Sequence, residues 1–422
     1  MSLREKASMI IVYLKNAKKS IRFEDRIDIF LILALLVLII SPLVINLFLK
    51  VNAEPRHISL FLSPRCEELL GKETTEMLLR EFMEQNPDLR IRLANFMDEK
   101  GPDIFVFDDG EFSALAAVNA LVELNSYTGY ETDARQLAIP LVSFMDMLFY
   151  NIDILTAAGF DRPPKTRDEF TAYARTVSRT DFSGVSAAAL SLSPDDPRAL
   201  SRDIFSWIWA AGGNFWPGEE YIPALNARAV TSDLAFLGGL SRDGALAPGI
   251  FETAGEQRVE EFSRGRIAMM VASAGAIPFL REKMGDAAFG ITTVPSPGTG
   301  GRYNIGLSAI YAGISSNSAY PERAWSFLEF LAEKSPMFCE RLKAVPGVIS
   351  DLIPGDYVRN DPFYSKAWDI FESSRIVPGF SGKPAAEEFE SIFLEELRLF
   401  LAGGKTAQET VAAIQSRWNA VE

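Results

Sequence analysis

Carboxylates and arginines, rather than histidines or cysteines, are the residues of this chain whose types and spacing suit chemistry. The one histidine, His57, cannot build a Ser-His nucleophile system or a histidine-based metal site. The two cysteines, Cys66 and Cys339, supply no disulfide framework. The most suggestive run is Asp108-Asp109-Gly110-Glu111, directly after the apolar stretch Ile104-Phe105-Val106-Phe107. Carboxylates at a strand end can accept paired hydrogen bonds from vicinal hydroxyls or balance a cationic ligand. The plainer role is a helix N-cap, which Asp favours anyway; the reading adopted is that one caps and another binds. Arg65, in Ser63-Pro64-Arg65 after the first apolar strand, can donate to hydroxyls or a carboxylate, or be a solvated loop charge. No spacing marks a glycosidase pair, which is defined by distance in space. Gly298-Thr299-Gly300-Gly301 lacks the Lys-Ser/Thr of a phosphate-binding loop. The expectation is binding without turnover, with no cofactor and no metal.

Strands and helices alternate around these residues. Ile58–Leu62, Leu89–Phe96 and Ile104–Phe107 read as strands, with helices expected over Glu67–Asn86 and Phe112–Leu121. Further on, Met147-Leu148-Phe149-Tyr150-Asn151, Ile267–Ser273 and Ala287–Pro295 read as strands. Thr166 with Glu169 and Thr406 with Glu409 have capping-box spacing at the starts of two helices. Asp203–Ala211, closed by Gly212-Gly213, reads as a helix, with Arg202, Phe205 and Trp209 on one face. Pro321–Lys334 and Ala385–Gly403 read as amphipathic helices, in which Trp325, like Trp418 near the C-terminus, packs the core. This order implies a mainly parallel open sheet covered by helices.

Charge is uneven. Net charge is −14 over 422 residues, and the absence of a basic stripe after residue 60 argues against nucleic acid as a partner. Residues 1–26 nevertheless carry seven Lys and Arg against three Asp and Glu. The stretch Ile29–Leu49 follows, apolar apart from Ser41, Pro42 and Asn46, and long enough as a helix to span a ~30 Å hydrocarbon core. The basic flank places the N-terminus in the cytoplasm and the chain after Lys50 outside. Val51-Asn52-Ala53 offers small residues for cleavage, yet the apolar run exceeds the ~7–15 residues usual in a cleaved leader. A retained membrane anchor is the favoured expectation, with a cleaved, soluble periplasmic form as the alternative.

The ordered series Glu81–Leu93, Gly101–Asn125, Ile139–Phe170, Trp209-Ala210-Ala211-Gly212-Gly213, Phe262–Met270, Ile305–Leu331 and Lys405–Val411 resembles bacterial extracellular solute-binding proteins of the maltose/sugar type. The resemblance implies an α/β, two-lobed periplasmic-binding-protein-like clamshell (type II), here preceded by one N-terminal transmembrane helix. Residues 1–26 would be cytoplasmic and 27–50 the anchor. Residues 54–142 with 309–358 would form one lobe, and 143–308 with 359–422 the other. It also implies a small solute, a sugar above all, and the permease subunits of an ABC importer as partners. A sensor of the same fold with a polyamine or peptide ligand is the alternative. By the same resemblance, Phe144 and Met145 lie at the hinge and Arg202 and Phe205 point towards the cleft. Ser273, Gly275 and Asn304 lie in cleft loops, and Tyr311 follows a crossing strand. Phe107, Asp108, Asp109 and Glu111 stand at a cleft-facing strand end, Phe215 and Trp216 at the rim, and Phe380 on a lid loop. Two departures stand out: Met97–Gly101 replaces a family helix, and Gly275 stands where the family carries a stacking tryptophan.

Overall fold

A computed structural model describes residues 56–94, 101–128, 136–180, 184–194, 196, 198–216, 222–298, 303–346, 356–377, 379–383 and 385–421. The expected membrane segment and the Met97–Gly101 departure therefore lie wholly or mostly outside them. Among the described residues no helix is long and apolar enough to cross a membrane.

The strands, in chain order, are β1 (Arg56–Leu62), β2 (Leu89–Leu93), β3 (Ile104–Asp108), β4 (Ile139–Asn151), β5 (Ser186–Ala189), β6 (Ile267–Ser273), β7 (Phe289–Thr292), β8 (Asn304–Ile305), β9 (Leu307–Ile314), β10 (Val345–Pro346) and β11 (Arg375–Ile376). The described residues divide into two compact units. In the smaller, which includes Arg56, His57 and Met83–Arg90, a turn closes as the Leu89 N–H donates to Asn86 O at 3.0 Å. There too the Arg56 N–H donates to Asp88 O at 2.9 Å. The larger, Ile58–Phe82 with Ile91–Glu422, holds the cleft.

β4 is the spine of that unit. Its thirteen residues, Ile-Pro-Leu-Val-Ser-Phe-Met-Asp-Met-Leu-Phe-Tyr-Asn, are apolar on both faces, as a strand covered on both sides must be. The first half pairs antiparallel with β9, from Ile139↔Ala312 to Met145↔Leu307. The second half pairs antiparallel with β6, from Asp146↔Ser273 to Tyr150↔Met269, and with β7. The strand order is β2-β1-β3-β9-β4-β6-β5. The sheet is therefore mixed, not mainly parallel as the βαβ reading implies. β1 with β3 and β5 with β6 are parallel, but the long crossing strands β4 and β9 run antiparallel to their neighbours.

Local chemistry shifts several expected boundaries. The single helix expected over Glu67–Asn86 is two, Pro64–Leu70 and Lys72–Gln85, separated by Gly71 at φ +74°. A Cβ at Gly71 would meet only the far end of the Arg341 side chain, so it is the positive φ, not packing, that favours glycine here. The helix after β3 covers Asp109–Ala117 rather than Phe112–Leu121, because Asp108 caps it and Asn119 takes a left-handed φ of 50°. Residues 201–205 form a π-turn that leads into a short helix, Ser206–Ala210. The box at Thr406 and Glu409 is complete. At Thr166 only half forms, since the Glu169 carboxylate accepts from Arg162 and the Lys165 N–H instead.

The largest core gathers Phe205, Phe215, Phe380, Phe393 and Trp418, with ring centroids 4.7–6.1 Å apart. Beside it the Arg167–Asp233 ion pair is almost wholly buried. Arg167 also donates to the Trp207 carbonyl and lies 5.3 Å from the Phe236 ring centroid. Removing one partner of such a pair strands a charge in the interior, typically at about 3–5 kcal/mol. Asp233→Ala is expected to lower unfolding free energy by about that amount in urea titrations followed by tryptophan fluorescence. A loss below about 1 kcal/mol would mean that water reaches Arg167.

Candidate ligand-binding site

Met145 and Asp146 mark where β4 changes partner from β9 to β6. Divergence of strands at such a point leaves a crevice, the place where open α/β sheets bind ligands. A cleft of ≈ 600 Å³ lies here, within the range typical of small-molecule sites. One wall comes from the end of β3 and the helix Pro64–Leu70. The other comes from Ala189, Ser191, Asp196, Arg198, Arg202 and Asp203, the helix Gly255–Ser263 and the segment after β6, with Phe144 of β4 and residues 308–310 of β9 between them.

Nine of the residues that line the cleft are charged, and most of these are matched. Asp108 closes a capping box: the Gly110 N–H donates to its Oδ1 at 2.8 Å, while its own N–H donates to Glu111 Oε2 at 3.0 Å. Arg65 lies 3.3 Å from Asp108 Oδ2 with half of its side chain exposed. Asp109 accepts from the Ala309 N–H at 3.0 Å, Tyr311 OH at 3.2 Å and Ser381 OH at 2.6 Å. Burial still raises its carboxyl above the usual range, against the pull of those donors and of Arg198. Arg198 Nη2 bridges both oxygens of Asp146, at 2.9 and 3.0 Å. Arg202 pairs with Asp196 at 2.8 Å and Asp203 at 2.6 Å, and donates to the Ser191 carbonyl at 3.2 Å. Burial pushes Asp203 up to about 7 even so. At Asp196 burial acts upward, but Arg202 and two backbone donors outweigh it and hold the carboxyl low.

The residues singled out by sequence divide in two. Arg65, Asp108, Asp109, Phe144, Arg202, Ser273 and Gly275 line the cleft. The others do not. Phe107 is an interior residue of β3, buried against Phe112 and Tyr311. Phe205 and Phe380 stack at 5.2 Å inside the aromatic core, so Phe380 is no lid, and Phe215 and Trp216 are buried rather than at a rim. Glu111 serves the capping box, and the Tyr311 hydroxyl serves Asp109. Asn304 donates to the Gly213 carbonyl at 3.2 Å and faces a separate chamber of ≈ 20 Å³. Sequence reasoning missed Asp146, Arg198, Glu256 and Phe279. Asp146 is a lone charge inside an apolar strand, a signal that was available. The other three lie in loops or helix starts without periodicity.

Behind the cleft a smaller chamber of ≈ 40 Å³ is lined by Asp109, Asp146, Arg198, Ser381 and Glu390, among others. Burial pushes Glu390 up to about 8, with the charges of Asp109 and Glu387 adding to it.

Residues 71–337 match the profile of the family described as bacterial extracellular solute-binding protein. The chain belongs to that family. Its members bind rather than catalyse. The fold is periplasmic-binding-protein-like. A cyclic α-maltosyl-1,6-maltose binding protein from Arthrobacter globiformis superposes with a TM-score of 0.70 at 18% identity, over 87% of this chain and 98% of its own. The sugar-binding protein MalE of Xanthomonas citri gives 0.69 at 16% identity, over 86% and 97%. By sequence, a Deinococcus radiodurans protein named "Probable ABC transporter-binding protein" is 23% identical over 71% of this chain and 72% of its own. Binding proteins of Brucella abortus and Brucella suis are 22% identical, and the match spans about half, 48%, of their length.

Glu390 supplies a test of the chamber. A carboxyl raised on folding contributes stability fully below its unfolded pKa, near 4.5, and loses it as pH rises through about 8. The unfolding free energy of the unaltered protein is therefore expected to fall across that window relative to Glu390→Gln. The difference should approach about 1.4 kcal/mol per pH unit at its steepest. Parallel profiles from pH 5 to 9 in urea titrations would show that Glu390 is solvated.

Proposed function

We propose that this protein captures a neutral, hydroxyl-rich solute, an oligosaccharide or related sugar, outside the cytoplasm and delivers it to the permease of an ABC importer. The observation that carries this reading is the internal pairing of charge in the cleft. Asp108, Asp109, Asp196 and Asp203 accept from Arg65, Arg202 or nearby hydroxyls and amides, and Asp146 holds Arg198. A cationic ligand would have to displace these partners and leave arginines unpaired, which costs far more than it returns. A polyhydroxylated neutral solute can instead share the free lone pairs and N–H groups of the same network without breaking it. The sugar-binding proteins among the structural neighbours support the same class, and the Deinococcus relative supports the transport role.

In this reading residues 54–142 with 309–358 and residues 143–308 with 359–422 are two lobes that close on the solute about β4 and β9, presenting the closed form to the permease. The basic segment 1–26 and the apolar segment 27–50 keep the protein tethered to the cytoplasmic membrane with the lobes outside.

A thermal-shift panel of linear and cyclic glucans, monosaccharides, polyamines and short peptides tests the solute class. A glucan at ~100 times its Kd should add about 2.7 kcal/mol of stability and raise the melting point visibly. A rise with polyamines or peptides and none with sugars would overturn the neutral-solute reading. Binding of a sugar without stimulated uptake, in vesicles carrying the permease, would turn the role from transport to sensing.

A further inference from the structure

Residues 379–383 join parts of the molecule that the two-lobe reading assigns to different lobes. One side of this short strap is fixed in the aromatic core. The Trp216 Nε1–H donates to the Gly379 carbonyl at 2.9 Å. The Phe380 ring lies 5.2 Å from Phe205 and 5.8 Å from Trp418 between centroids. The other side meets the helix Asp109–Ala117. Ser381 OH donates to Asp109 Oδ1 at 2.6 Å. Gly382, at φ +73°, lies so near this helix that a Cβ would come within 2.7 Å of the Phe112 ring.

The bond to Asp109 can be released without stranding a charge. Of the three donors that meet this carboxylate, the Ala309 N–H and the Tyr311 hydroxyl both belong to β9 and stay when Ser381 leaves. A freed serine hydroxyl turns to water, so the net cost of parting is that of one ordinary hydrogen bond. Nor is the seam packed solid. The chamber of ≈ 40 Å³ lies along it, lined by Asp109 from one side and by Ser381 and Glu390 from the other.

Position fixes what such a bond does. Phe144 lines the cleft and Asp146 lines the chamber, and residues two apart in a strand share a face. Asp109, Arg198 and Ser308 line both spaces. Strap and cleft therefore lie on one side of the crossing strands. Lobes that part about β4 and β9 must pull Ser381 from Asp109, and lobes that close restore the bond. Ser381, Gly382 and Phe112 do not line the cleft, so their influence on binding passes through the position of the lobes.

We propose that the strap Gly379–Lys383 is an interlobe latch, in which Ser381 and Gly382 grip Asp109 and Phe112 and hold the lobes at the separation seen here. Ser381 is then a positioning residue for capture: release of a solute requires the lobes to part, and parting breaks its bond. The proposal rests on the two-lobe reading above and not on which solute is captured.

Spin labels on the ligand-free full chain test it by pulsed dipolar spectroscopy. Glu329→Cys and Asp168→Cys place them at exposed positions of the helices Pro321–Glu333 and Arg167–Arg179, one on each lobe. Cys66 and Cys339 are buried and stay unlabelled. Gly382→Trp, which wedges the strap from Phe112, should lengthen the distance and so define the parted state. Ser381→Ala should shift the ratio of short to long distances towards that state by roughly three- to tenfold. Ser381→Thr, which keeps the hydroxyl, should restore the distribution of the unaltered protein. A longer distance in Gly382→Trp with no shift in Ser381→Ala would overturn the latch and leave the hinged lobes standing. One unchanged distance in every variant would overturn the two-lobe reading, and the latch with it.

Discussion

A carboxylate withdrawn from water must be met by donors, and the way Asp109 is met organises the cleft end of this molecule. Its two oxygens take hydrogen bonds from the backbone at Ala309, from Tyr311 and from Ser381, residues 200, 202 and 272 positions away. One side chain thus ties the start of the helix after β3 to the crossing strand β9 and to the C-terminal segment. Asp109 can do this because Asp108, immediately before it, satisfies the helix N-terminus with Glu111. Adjacent acids divide the work: one caps, and its neighbour is left to bind distant donors.

The same economy of charge runs through the rest of the cleft. Asp146 is the one acid in β4, and it lies where the strand changes partners, so its charge needs a cation from outside the sheet. Arg198 supplies it from a loop. Arg202 stands between Asp196 and Asp203 on the next turn of chain. A cavity built this way carries charge that is largely matched, and in such a cavity specificity passes to shape, apolar faces and the remaining lone pairs.

How much of this was legible beforehand varies with the range of the interaction. The capping boxes are local, four-residue patterns, and Thr406 with Glu409 and Asp108 with Glu111 form as residue chemistry allows. Thr166 with Glu169 was legible only in part, because Arg162 draws the Glu169 carboxylate away. Element types were readable from periodicity, but strand direction was not. The βαβ order suggested parallel pairing, while β4 and β9 return antiparallel through connections more than a hundred residues long. The aromatic residues were the least legible. Phe107, Phe205 and Phe380 carry the same side chain as Phe144 and Phe279, and nothing local tells which will be buried in a core and which will face a cavity.

The sequence by itself determined the class of the molecule: an acidic α/β binding protein, preceded by a basic and then an apolar segment. Those conclusions rest on composition and on the ordered run of motifs, neither of which needs coordinates. Only the tertiary structure decided which acids are spent on arginines and which aromatics line the cleft. The physical reason is that pairing and burial are set by groups far apart in the chain, and their distances do not exist until the chain has folded.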